Sequence, residues 1–234
     1  MISGYSIGIL LLDVWYPIIP GNVVNACTYD FPVRMKLVPG ATQTRMHTGD
    51  PSLLEDLITS GKELEREGVR AVVGACGYFG HFQKKLAAAL DVPVFLSSLV
   101  QVSMIQMGLK PRQKIGILCA DAENLTANIL RECGVQNPDV CVIRGLGNEA
   151  EFSALLHSDR GYFDNSKIRA EVVDAAKKMV ADNPEVGALL LECSDMPPYA
   201  ADIQRAVNLP VFDFITMIKW VNHAVGQKPY YGFV

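Results

Sequence analysis

Ala71-Val-Val-Gly-Ala-Cys76 lines up, 117 residues later, with Ala188-Leu-Leu-Leu-Glu-Cys193, each a short apolar run that ends in a cysteine. The match continues without a gap. Leu86 falls on Ile203, Leu90 on Val207, and Val92-Pro93-Val94-Phe95 on Leu209-Pro210-Val211-Phe212. Upstream, Ile7-Gly8-Ile9-Leu10 and Asp13 match Ile115-Gly116-Ile117-Leu118 and Asp121 at an offset of 108, so one insertion or deletion of nine residues separates the two halves. Short apolar runs match by chance, but a cysteine and a Pro-Val-Phe held at one offset point to duplication.

Outward from these runs, aliphatic stretches alternate with amphipathic ones, the pattern of βαβ units and a parallel sheet. Strands are predicted at residues 6–12, 33–38, 70–75, 93–96, 114–119, 139–143, 187–192 and 210–212. Helices are predicted at 51–67, 80–90, 123–133, 167–181 and 199–207, with 15–49 a long loop carrying one strand. The fold class is therefore α/β: two similar parallel-sheet lobes related by a pseudo-twofold axis, with the active site in the cleft between them. Ligands of open parallel sheets sit beyond the carboxyl ends of the strands. Asp13, Cys76 and Ser97 fall there in one half, and Asp121, Cys193 and Asp213 in the other.

Composition limits the function. Half of the 234 residues are hydrophobic, a fifth are charged and the net charge is −4, as in an ordinary globular enzyme. No basic stripe offers a nucleic-acid surface. The opening Met1-Ile-Ser-Gly-Tyr-Ser-Ile-Gly-Ile-Leu-Leu-Leu-Asp-Val-Trp15 is too short to span a bilayer and lacks a basic flank and a cleavage site, so it reads as a buried strand. The six cysteines are irregularly spaced with no C-x-x-C pair, and the four histidines are scattered. Reduced thiols in a cytoplasm are expected, with no zinc site. Neither a dinucleotide fingerprint, a P-loop nor a G-x-S-x-G elbow is present.

The chemistry therefore rests on Cys76 and Cys193. Each precedes a helix start, through Gly77-Tyr78 or Ser194-Asp195, where free backbone N–H groups favour a thiolate and can hold a carboxylate. A thiol has an ordinary pKa of about 8.5, so a modest push makes it a base at neutral pH. Two on opposite faces of one carbon suit inversion: one removes a proton and the other delivers one. A lone cysteine is more often a buried structural thiol, and Cys27, Cys119, Cys133 and Cys141 are read that way. Asp13, Asp121, Ser97, Ser98, Asn124 and Thr126 are candidates for substrate contact, with turn or helix capping as the alternative. His81, just after the Cys76 loop, is a candidate to tune it.

The sequence resembles the aspartate/glutamate racemase superfamily. The resemblance is carried by Ala75-Cys76-Gly77 and Glu192-Cys193-Ser194 after apolar strands and by the two Pro-Val-Phe strands. The first-loop stretches from Tyr16 to Asn25 and from Thr28 to Pro32 add to it. It implies two lobes with the active site between them, no pyridoxal phosphate, no metal, and Cys76 and Cys193 as alternating acid and base. It also implies that the last segment returns to the first lobe, giving lobes of 1–110 plus 214–234 and of 111–213. Glutamate racemases carry Cys-Asn-Thr and Cys-Thr-His where this chain has Cys76-Gly77-Tyr78 and Cys193-Ser194-Asp195. The resulting expectation is a cofactor-independent racemase or epimerase acting next to a carboxylate, an isomerase and by base rate a homodimer. The alternatives are a maleate-type isomerase, a hydantoin racemase, an arylmalonate-type decarboxylase, or a non-catalytic protein that binds a small acid.

Overall fold

The computed structural model describes residue 2 and residues 4–157 and 161–233. The apolar runs become strands covered on both faces, which is why they read as near-continuous hydrophobic segments. Strands β1 (Ile7–Leu11), β2 (Val33–Leu37), β3 (Ala71–Gly74) and β4 (Val94–Phe95) form a parallel sheet in the order β2-β1-β3-β4. Strands β5 (Lys114–Cys119), β6 (Cys141–Gly145), β7 (Val186–Leu191) and β8 (Val211–Phe212) repeat it as β6-β5-β7-β8.

The register reproduces the duplication residue by residue. Ile7 pairs with Val33 and Ala71, and Ile115 pairs with Cys141 and Ala188. Val72 pairs with Val94 as Leu189 pairs with Val211. The offset is thus 108 for the first two strands of each lobe and 117 for the last two, so the nine extra residues lie between β6 and β7.

The helices of the first half are α1 (Gln43–His47), α2 (Leu54–Arg66), α3 (Gln83–Ala89) and α4 (Val102–Met107). Those of the second are α5 (Ala127–Glu132), α6 (Ala150–His157), α7 (Asn165–Asp182), α8 (Ala200–Val207) and α9 (Phe214–Val225). Helices α1, α4 and α6 are absent from the sequence expectation. Each has eight residues or fewer, too short for periodicity to stand out. Helix α9 opens the last segment, 214–234, and stops at Val225; Val234 lies outside the described residues.

Glycine occupies the same place in both central strands for a packing reason. A Cβ on Gly8 would lie 2.9 Å from Leu64 Cδ1 of α2, and one on Gly116 would lie 3.0 Å from Met179 Cγ of α7. The bare backbone lets each helix close onto its sheet. Helix α9 covers the other face of the first sheet: Phe214, Met217, Ile218 and Val221 pack against Ile7, Ile9, Ala71 and Val73. Its start is fixed by a capping box, in which Asp213 accepts from the Thr216 amide at 2.7 Å and Thr216 Oγ1 accepts from the Asp213 amide at 2.9 Å. The Gln101 side chain donates to the Asp213 carbonyl at 2.9 Å, tying the end of the second half to the first. Among the described residues, no helix is long and apolar enough to cross a membrane.

Candidate active site

Both cysteines lie just past the carboxyl ends of equivalent strands, Cys76 after β3 and Cys193 after β7. They share a slot of about 20 Å³, lined by Cys76, Gly77 and Tyr78 of the first half and by Glu192, Cys193, Ser194 and Asp195 of the second. Tyr16, Gln43 and His47 help close it. That volume holds about one water. Beside it opens a cavity of about 590 Å³, which shares Leu12, Val14, Tyr16 and Ser194 with the slot and carries Trp15 at its lip.

The expectation of thiols acidified by the following helix starts is corrected here. Backbone N–H groups of Tyr78 and Phe79 do reach Cys76, and that of Asp195 reaches Cys193, each pulling the pKa down. Burial pushes both thiols up more strongly, and the acidic neighbours Glu192 and Asp195 add to it. Removing a thiol from water penalises the charged form by more than one or two amide dipoles restore. Both groups are held as thiols.

They are not equivalent. Cys193 Sγ donates to Asp195 Oδ2 at 3.6 Å. Asp195 in turn accepts from Tyr16 Oη at 2.9 Å and Asn22 Nδ2 at 2.6 Å, partners supplied by the long first loop. Burial raises the Asp195 pKa, so this carboxylate is a stronger base than one at the surface, while the three hydrogen bonds oppose that rise. Two residues after Cys76 the matching position is Tyr78, whose hydroxyl accepts from the Asp121 amide at 2.9 Å and donates to the Asp121 carbonyl. The His47 ring stacks on Tyr78 with centroids 4.0 Å apart, and its Nδ1 lies 3.6 Å from Asp121 Oδ2. Burial lowers the His47 pKa against the pull of Asp121.

Glu192 is the unusual member. It is fully buried, and neither carboxyl oxygen has a hydrogen-bond partner. Burial first, and then the Asp121 charge, push its pKa up to about 8, so it is protonated at neutral pH. A Cβ on Gly77 would come within 1.8 Å of Glu192 Oε1. Glycine stands after the first cysteine because the carboxyl of the opposite lobe occupies that space.

The remaining sequence candidates are placed as follows. The Asp13 carboxylate accepts from the Trp15 indole at 3.2 Å, away from the slot. Ser97 Oγ accepts from the Leu99 amide at 3.3 Å, and Ser98 Oγ donates across the lobes to the Leu191 carbonyl at 3.0 Å. Asp121 holds its own turn, accepting from the Glu123 amide at 3.0 Å and from Asn124 Nδ2 at 2.6 Å. Thr126 is exposed at the start of α5. His81 lies with a ring nitrogen 3.3 Å from the His47 carbonyl. Sequence reasoning quoted Glu192, Tyr16 and Asn22 only as carriers of the family resemblance and gave neither them nor Gln43 and His47 a place in the site. For Glu192 a signal existed: a charged residue closing an otherwise apolar strand. Among the described residues, no three His, Cys, Asp or Glu side chains gather as a metal-binding group.

The family described as Asp/Glu/hydantoin racemase matches residues 34–220. A dimethylsulfoniopropionate lyase of Durusdinium sp. clade D is 29% identical over 97% of this chain and 77% of its own. Dimethylsulfoniopropionate lyase 7 of Emiliania huxleyi (strain CCMP1516) is 30% identical over 97% of this chain and 69% of its own. Among solved structures, a sulfate-associated mutant of arylmalonate decarboxylase superposes with a TM-score of 0.62 at 16% identity, covering 97% of each chain. An aspartate racemase homologue from Pyrococcus horikoshii OT3 gives 0.58 at 16% identity, over 95% of this chain and 99% of its own. At such identities the structural matches speak for the fold alone. The sequence relatives are lyases, which overturns the expectation of a racemase or epimerase and, with it, of an isomerase. The two thiols also stand in unequal surroundings, since Cys193 donates to the Asp195 carboxylate and the position two residues after Cys76 is Tyr78.

Proposed function

The chain belongs to the Asp/Glu/hydantoin racemase family, and from that premise we propose that it is a carbon–sulfur lyase that opens dimethylsulfoniopropionate by β-elimination. Racemisation and this elimination share a first step, removal of a proton from the carbon next to a carboxylate. They part at the second step. In an elimination no proton returns to carbon, because the carbon–sulfur bond breaks at the neighbouring carbon and its electrons leave with sulfur.

The observation that carries the reading is the single carboxylate-paired thiol. Asp195 takes the proton of Cys193 through the existing hydrogen bond. The thiolate then removes the α-proton, the carbon–hydrogen electrons form the double bond, and dimethyl sulfide departs as a neutral molecule. Acrylate remains, and Asp195 releases its proton to water when the products leave, so the step yields acrylate, dimethyl sulfide and one proton. Cys76, with no matching carboxylate two residues on, stays a thiol facing the same carbon. The aromatic faces of Tyr16 and Trp15 beside the slot suit a soft sulfonium cation.

Incubation of the purified protein with dimethylsulfoniopropionate tests this, with dimethyl sulfide followed by headspace gas chromatography and acrylate by proton NMR. Release of both in equal amounts is expected, lowered about 100-fold or more in Asp195→Asn. A folded protein that releases neither refutes the reading.

A further inference from the structure

Building on the lyase reading, we propose that Glu192 is the group that meets the substrate's carboxylate, as a neutral acid donating a hydrogen bond into the slot. Glu192 follows the last residue of β7, and its amide continues the sheet by donating to the Leu118 carbonyl at 2.8 Å. Its backbone is therefore rigid, and its carboxyl reaches across to Gly77 in the other lobe. Both oxygens are buried and unpartnered, in a slot that also holds both thiols.

An unmet polar group of this kind costs about 1–3 kcal/mol. Folding gains nothing from it, whereas a ligand that supplies an acceptor recovers the loss. The surroundings keep the acid uncharged. Cys76, Tyr78, Cys119, Cys133 and Cys193 face it as neutral thiols and a phenol, since burial raises each of their pKa values. Asp121 adds a negative charge, and His47, lowered by burial, does not offset it with a full positive one. Ionised, Glu192 would repel a substrate carboxylate. Protonated, it donates to one. As the α-proton leaves, negative charge grows on that carboxylate, and the same bond strengthens where it accelerates the reaction. The proton stays on Glu192 throughout.

Two variants separate the roles. Glu192→Gln keeps an uncharged donor of the same shape, and Glu192→Leu removes it. Binding of propionate is measured by isothermal titration calorimetry at pH 6.5 and 9.5, with circular dichroism confirming that each variant is folded. Expected are propionate binding to the wild type at pH 6.5 with loss at pH 9.5, retention by Glu192→Gln at both, and at least 10-fold weaker binding by Glu192→Leu. Where dimethyl sulfide release is measurable, kcat/KM falls about 100-fold in Glu192→Leu. A decline above pH 8 is expected in the wild type and should be absent in Glu192→Gln. Equal propionate affinity in wild type and Glu192→Leu, or none in the wild type, overturns the role of Glu192. Dimethyl sulfide release by the wild type is scored separately and decides the lyase reading on its own.

Discussion

Replacing Glu192 by glutamine gives a stability difference whose size and direction follow from burial. In the unfolded chain this carboxyl titrates at its ordinary value of 4.5, and in the folded protein at about 8. The folded-state value is raised, so the stability linked to the bound proton is fully present below pH 4.5 and is lost as pH climbs through 8. At about 1.4 kcal/mol per pH unit between the two midpoints, the loss totals about 5 kcal/mol, of which about 3 kcal/mol is already gone at pH 7. No discount for solvent screening applies to a fully buried group. Glutamine does not titrate, so subtracting the Glu192→Gln curve from the wild-type curve cancels the ionisable groups that do not interact with Glu192 and leaves Glu192 with its coupling to Asp121. Urea unfolding from pH 4 to pH 9 is the assay. The difference curve should fall with rising pH between 4.5 and 8 and level off on either side. Parallel curves, agreeing within 1 kcal/mol across the range, would refute the placement of Glu192 as a buried neutral acid.

The remaining predictions concern the two thiols and the packing around them. Dimethyl sulfide release should fall about 1,000-fold in Cys193→Ala and markedly less in Cys76→Ala, measured as kcat. Equal losses would contradict the unequal roles assigned from the Asp195 bond. Gly77→Ala should destabilise by about 1–3 kcal/mol in urea, since its Cβ would overlap the Glu192 carboxyl, and the penalty should shrink in a Gly77→Ala, Glu192→Ala double variant. Met217→Ala, on the buried face of α9, should cost about 2–5 kcal/mol by thermal or urea unfolding. A surface-like value would mean that α9 does not seal the first sheet.

Much of the architecture was legible because it depends on local pattern. Aliphatic runs at 71–76 and 188–193 announce strands whatever surrounds them, and the offsets of 108 and 117 reappear in the strand register. The same pattern could not reveal α1, α4 or α6, whose few turns are fixed by packing rather than by periodicity. Within the site, sequence placed both cysteines at matching strand ends. It also suggested that nearby amides acidify them. Amides are local and visible in the chain order, but burial is a property of the closed structure, and here burial is the larger effect.

The matched pair of cysteines is thus a consequence of sequence alone, since duplication copies residue identity and strand position together. Their inequality is decided only in the tertiary structure. Tyr16 and Asn22 reach Asp195 from more than 170 positions away, and Glu192 meets Gly77 only when the lobes close. Proton affinity depends on which dipoles, charges and waters stand within a few ångströms of an atom, and chain order does not specify those distances.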